Sequence, residues 1–107
     1  MEIEQYQIVL VNLNPTLGSE IKKTRPCVVI SPNEMNRNLN TITIAPMTTS
    51  IKKYPSRVLV KHNGKKGSVV LDQIRTIDRQ RVVKTLGAIS DNEIQEIKLV
   101  IKEMFVD

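Results

Sequence analysis

Short apolar runs rich in Val and Ile, separated by proline, glycine and asparagine, most constrain how this chain can fold. Runs of β-branched residues between turn residues are typical of strands. Asn63-Gly64 separates two of the runs, and this dipeptide is a strong signal for a β-hairpin. The pattern predicts a mainly β fold with strands at Tyr6–Leu13, Cys27–Ile30, Thr41–Ala45, Arg57–Val60, Gly67–Leu71 and Arg81–Leu86.

Two segments carry helix-start signals. Ser31, followed by Pro32 and Glu34, predicts a short helical turn with Ser31 as its N-cap. Ser90 and Glu93 predict a capping box for a longer C-terminal helix. Apolar residues of that helix recur at spacings of three and four and should pack on the sheet; they are Ile94, Ile97, Ile101 and Met104. We therefore expect a small SH3-like barrel of five to seven strands with a C-terminal helix.

The length of 107 residues predicts one domain, residues 1–107. We find neither an apolar stretch that could span a bilayer nor a signal-peptide pattern, so we expect a cytoplasmic protein. The single cysteine, Cys27, falls in an apolar run that should be buried on both faces, and we expect a structural thiol. The single histidine, His62, adjoins the hairpin turn, where we expect it to be exposed and without a role. One cysteine and one histidine exclude a Cys/His zinc cluster, and we expect no cofactor.

The positive charge is concentrated in one part of the chain. The net charge is +5, but residues 21–66 contain ten basic residues and one acid, Glu34. Such a segment suits a partner that carries many phosphates, although a solvated surface is the simpler alternative.

Two polar clusters within this basic segment end at predicted strands. A loop over residues 16–24 leads into Arg25-Pro26, and Pro26 favours an extended backbone at Arg25. Pro46 is expected to end the third strand and to be followed by hydroxyl-bearing residues, among them Thr48 and Thr49. We expect the two clusters to face each other across a site. Each cluster taken alone could also be an ordinary surface feature.

These residues favour chemistry on RNA. Metal-hydrolase, phosphate-loop and serine-esterase motifs are missing, and Asp72 with Asp78 should form salt bridges to Arg75 and Arg79 instead of binding a metal. RNA supplies its own nucleophile, the 2′-OH, so an arginine and a hydroxyl that stabilise the phosphate could suffice. The general base stays open, with Glu20 as one possibility.

Several motifs, in order along nearly the whole chain, resemble the MazF/PemK (Kid-like) family of toxin endoribonucleases. They are Val9 to Thr16, Gly18-Ser19-Glu20, Arg25-Pro26-Cys27, Pro46-Met47-Thr48 and Asp72 to Asp78. One departure is Tyr6-Gln7, where the family usually has Gly-Asp.

The resemblance implies a toxin of a type II toxin–antitoxin system that cleaves single-stranded mRNA at specific sequences without a metal. It implies a homodimer and a cognate antitoxin whose acidic tail covers the basic face. It places catalysis on Arg25 and Thr48, and RNA contacts on Ser19, Glu20, Thr49 and Gln73. The alternative is a non-catalytic module of the same fold that binds nucleic acid or gyrase.

Overall fold

The computed structural model describes residues 2–106. Across these residues seven strands form one curled antiparallel sheet, a half-barrel, joined by two α-helices and short 3-10 turns. The strands are β1 (Gln7–Asn12), β2 (Thr24–Val29), β3 (Thr41–Thr48), β4 (Arg57–His62), β5 (Lys65–Val70), β6 (Arg75–Asp78) and β7 (Val82–Ala88); the helices are α1 (Asn33–Asn38) and α2 (Asp91–Phe105). The predicted mainly β fold with a C-terminal helix is confirmed.

The sheet runs in the order β4-β5-β3-β2-β1-β7, and β6 pairs with the first half of β3, from Thr41 to Ile44. The tight turn between β4 and β5 confirms the hairpin prediction. Its two residues, Asn63 and Gly64, have φ values of 51° and 77°, as a turn that matches the twist of the strands requires.

The central strands are buried on both faces, which explains their continuous apolar runs. In β2, Cys27 and Val29 point into one cluster of core residues, while Val28 points into a second. Helix α2 covers the second cluster, where Ile97 is fully buried beside Val58 of β4.

One helix start follows its prediction and the other does not. Ser90 and Glu93 form the predicted capping box of α2. Ser31 is not the N-cap of α1, because its hydroxyl hydrogen-bonds the side chain of Asn36 and accepts from the N–H of Thr43 in β3. The Ser31 hydroxyl therefore bonds the side chain of Asn36 and the backbone of Thr43, and it does not cap the helix.

The apolar stripe of α2 packs on the sheet over most of its length. Ile94 and Ile101 are half-buried around Ile97. Met104 is 37% exposed, so the prediction that the stripe packs over its whole length is wrong at its last residue. No helix among residues 2–106 is long and apolar enough to cross a membrane.

Tyr6, at the departure from the family pattern, has a left-handed backbone with φ 67°. Glycine adopts this conformation without strain, and most other residues do not. Hydrogen bonds hold it here, since the N–H of Tyr6 donates to Val29 O at 2.7 Å and its carbonyl accepts from the N–H of Ile89 at 3.2 Å.

Cys27 is a buried free thiol, as predicted. Burial raises its pKa to about 12, although the charges of Arg75 and Arg25 oppose this rise. The thiol is therefore protonated at neutral pH and plays a structural part.

We expect Ile97→Ala to lower the free energy of unfolding by about 2–5 kcal/mol, because it opens a cavity between α2 and the sheet. Leu99→Ala is the matched control, since Leu99 lies on the same helix and is 63% exposed. Urea denaturation measures both, and equal destabilisation by the two substitutions would contradict the packing described here.

Candidate active site

Arg25 lies inside β2 instead of preceding it. The strand begins at Thr24, and Arg25 pairs with Val11 of β1, so the prediction that the strand starts at Cys27 is wrong by three residues. The side chain is half-buried, and its Nε donates to Lys22 O at 3.0 Å. This bond orients the guanidinium and leaves its two terminal nitrogens for a ligand.

Thr48 is the last residue of β3, because Pro46 does not end this strand as predicted. β3 pairs with β6 as far as Ile44 and with β5 from Met47 onward. Pro46 lies between the segment that pairs with β6 and the segment that pairs with β5. In the described part of the chain no strand pairs with β3 on that side at this position, so the lack of an N–H in proline costs no hydrogen bond of the sheet. The strand therefore ends three residues later than the predicted end at Ala45, and it includes Thr48.

The backbone around Thr48 is tightly held. Thr48 pairs with Ser68 of β5, and its Oγ1 accepts from the N–H of Ser50 at 3.2 Å. A Cβ added to Gly67 would lie 2.6 Å from the Thr48 carbonyl oxygen. Only glycine therefore permits this close approach.

Arg25 and Thr48 line one cavity of about 150 Å³, which we call the basic cavity. The pairing of β2 with β3 ends with Cys27 opposite Pro46, and Arg25 and Thr48 each lie two residues beyond this pair. The remaining lining residues are Pro26, Met47, Thr49, His62, Lys65, Lys66 and Gly67. The expectation that the two polar clusters face each other is confirmed, and the cavity wall has three cationic side chains and no carboxylate.

Glu20 and Gln73 line a different cavity, of about 250 Å³, which we call the loop cavity. Gln73 Oε1 accepts from the N–H of Ile21 at 2.8 Å and so anchors the loop that precedes β2. Glu20 Oε1 accepts from the N–H of Leu17 at 2.7 Å. Pro46 lines the loop cavity and its neighbour Met47 lines the basic cavity, so both cavities border β3.

The predicted site residues therefore divide into groups. Arg25, Thr48 and Thr49 line the basic cavity, and Glu20 and Gln73 line the loop cavity. Ser19 is exposed on the loop and lines neither.

His62 was missed by the sequence interpretation. It is half-buried and lines the basic cavity, so the prediction of an exposed histidine without a role is wrong about its exposure. The signal was present in β4, where Val58 and Val60 are buried and Lys61 is exposed. Strand alternation places His62 on the same inward face as the two valines.

The acid pair Asp72 and Asp78 also differs from its prediction. Asp72 forms an ion pair with Arg57 Nε at 3.7 Å, and not with Arg75 or Arg79. Asp78 instead accepts from the N–H of Gln80 at 2.8 Å. Residues 2–106 contain no group of side chains that could hold a metal ion.

Comparisons with known proteins identify the family of the chain. A family model described as PemK-like, MazF-like toxin of type II toxin–antitoxin system matches residues 4–105. The endoribonuclease toxin MazF of Escherichia coli strain K12 is 34% identical over 92 residues, which are 85% of this chain and 83% of that protein.

Solved structures share the fold. A crystal structure of MazF from Deinococcus radiodurans has a TM-score of 0.86 at 25% identity, covering 97% of this chain and 96% of that one. A mycobacterial endoribonuclease in complex with its cognate antitoxin has a TM-score of 0.80 at 19% identity, covering 94% and 92%. The family match spans nearly the whole chain, and the chain therefore belongs to the PemK-like, MazF-like toxins of type II toxin–antitoxin systems.

Proposed function

We propose that this MazF-like endoribonuclease toxin, a single domain over residues 1–107, cuts single-stranded mRNA in the cytoplasm at specific sequences by attack of the 2′-OH. The observation that carries the proposal is that Arg25 and Thr48 share one cavity whose charged side chains are all cationic. Such a cavity attracts the phosphate backbone of RNA.

In this mechanism Arg25 binds the scissile phosphate. Its guanidinium is fixed through Nε, so two terminal nitrogens can donate to the phosphoryl oxygens. The Thr48 hydroxyl, on a backbone held by β5, donates a further hydrogen bond as negative charge develops. RNA provides the nucleophile, and the products are a 2′,3′-cyclic phosphate (or a 3′-phosphate) and a 5′-OH. The reaction therefore requires no metal.

The RNA strand would follow β3 from the basic cavity to the loop cavity. Thr49 contacts it at the first cavity, and Glu20 with Gln73 at the second, where a carboxylate can accept hydrogen bonds from base amino groups. Ser19 contacts it from the exposed loop. Contacts to the bases give the sequence specificity, and contacts to the phosphates give affinity.

We expect Arg25→Ala and Thr48→Val each to slow cleavage of a long single-stranded RNA in EDTA by at least about 10²-fold. Arg25→Lys should also fail, because it keeps the charge and loses the planar fork of donors. Primer extension, which maps the cut sites, measures the rates.

The matched control is Arg37→Ala, an exposed arginine of the same basic segment that lies on α1, outside the basic cavity. It should cut at the same sites at nearly the wild-type rate. Unchanged cleavage by Arg25→Ala or Thr48→Val would contradict the assignment. Stable RNA binding by the wild type without new 5′-OH ends would favour a non-catalytic module, and gyrase would then be the next target to test.

Replacing the 2′-OH at a mapped cut site by hydrogen should abolish cleavage at that bond and leave binding intact. The reason is that the substrate then lacks its nucleophile, while its phosphates still contact the cationic cavity. An oligonucleotide with one 2′-deoxy residue is compared with its all-RNA parent by gel electrophoresis. Cleavage of the 2′-deoxy bond at the parent's rate would show that water is the attacking group.

We propose that the chain acts as a homodimer and that a cognate antitoxin with an acidic tail covers the basic cavity. The antitoxin complex of the mycobacterial endoribonuclease, which shares the fold, supports the antitoxin as a partner. Light scattering should give twice the 12.1 kDa chain mass for the free toxin.

The acidic tail of the antitoxin, added as a peptide, should displace RNA from the toxin, and the affinity of the peptide should fall strongly as the salt concentration rises. Simultaneous binding of peptide and RNA would place the antitoxin on another surface.

A further inference from the structure

His62 is the only histidine of the chain, and its position in the basic cavity has no part in the mechanism described so far. Its Nε2 is buried and makes no hydrogen bond. Among the described residues only Arg57 Nε shares this property. Buried polar atoms without a partner are rare in folded proteins and often mark functional positions.

Two neighbours fix the imidazole ring. The Asn63-Gly64 turn follows His62 directly and sets the end of β4. On the other side lies Gly87 of β7, where an added Cβ would be 3.1 Å from the ring Cε1 and 3.9 Å from Nε2. The edge of the ring that carries Cε1 and Nε2 therefore lies against the β7 backbone. This leaves Nδ1 as the nitrogen that a ligand in the cavity can reach.

The charged groups around the ring are mostly cationic. Arg25 of β2 and Lys65 and Lys66 of β5 line the same cavity. Lys61 precedes His62 on β4, and from α2 the carboxylate of Glu93 accepts from the Lys61 N–H at 2.8 Å. From β7 the uncharged Gly87 lies against the ring.

The proton acceptor considered from sequence lies elsewhere. Glu20 lines the loop cavity, and its Oε1 accepts from the Leu17 N–H. The wall of the basic cavity contains no carboxylate, and arginine stays protonated in proteins. Histidine is the residue type that exchanges protons near neutral pH.

Resting on the proposed RNA cleavage, we propose that His62 is its general base. Nδ1 accepts the proton of the 2′-OH while the 2′-oxygen bonds to phosphorus. The bond from phosphorus to the 5′-oxygen breaks, and the 5′-oxygen takes a proton from water. The imidazolium then returns its proton to solvent. Arg25 and Thr48 stabilise the phosphoryl oxygens throughout, so the three side chains have separate tasks.

The test compares wild type with His62→Gln on a short RNA that contains one mapped cut site, in EDTA, between about pH 5.5 and 8.5. We expect His62→Gln to lower the single-turnover rate by about 10²–10⁴-fold and to remove the fall in rate at acid pH. Free imidazole should partly restore the rate of His62→Ala. A wild-type rate and pH profile in His62→Gln would overturn the proposal.

A second measurement needs no variant, because the ring signals of a single histidine are unambiguous in NMR spectra. The titration midpoint of the ring in the free protein should coincide with the acidic midpoint of kcat/KM. The uncleavable 2′-deoxy oligonucleotide should shift the Cε1–H resonance. A mismatch of the two midpoints would overturn the proposal even if the variants failed to fold.

The outcomes separate this inference from the proposed function. If wild type cuts and Arg25→Ala does not, while His62→Gln cuts like wild type, only the assignment of His62 fails. If wild type leaves the RNA intact, the proposed function fails, and the role of His62 fails with it.

Discussion

The backbone pairing of β3 with three other strands is the constraint on which the site depends. β2 runs along one side of β3, and β6 and then β5 run along the other. Pro46 occupies the gap where the second side changes partner. Since pairing resumes at Met47, Thr48 is part of the sheet and not of the following loop. Arg25 is held in the same way by β1, so backbone pairing within the sheet positions both proposed catalytic residues.

The parts of the fold that local chemistry decides were predictable from sequence. Apolar β-branched runs, the Asn63-Gly64 turn and the Ser90 capping box act over a few residues. The turn and the cap are where the sequence predicted them, and each predicted run overlaps a strand, although β2 begins earlier and β3 ends later than predicted. The cavity shared by Arg25 and Thr48 was predictable for a similar reason, because both residues follow or precede apolar runs that clearly predict strands, and both lie within those strands.

The errors arose where a distant residue competes with a local one. Ser31 has the sequence of an N-cap, yet its hydroxyl is used by Thr43 of β3. Asp72 has basic neighbours in sequence, yet it pairs with Arg57 on another strand. The proximity of His62 to a turn predicted exposure, whereas the inward face of β4 and the absence of a side chain at Gly87 decided its burial. None of these partners is visible until the strand order is known.

Burial of the central strands on both faces has a consequence for how the chain avoids misfolding. In a strand with one polar face, slipping by one residue exposes apolar side chains to water, and this cost enforces the correct alignment. For β2 and β3 this energetic penalty is smaller, because the residues on both faces of these strands are apolar. Their alignment must come from single positions that tolerate no displacement, such as Pro46 in its gap and Gly67 under the Thr48 carbonyl. These same positions shape the two cavities, so a chain that folds into the wrong alignment would lose its site as well.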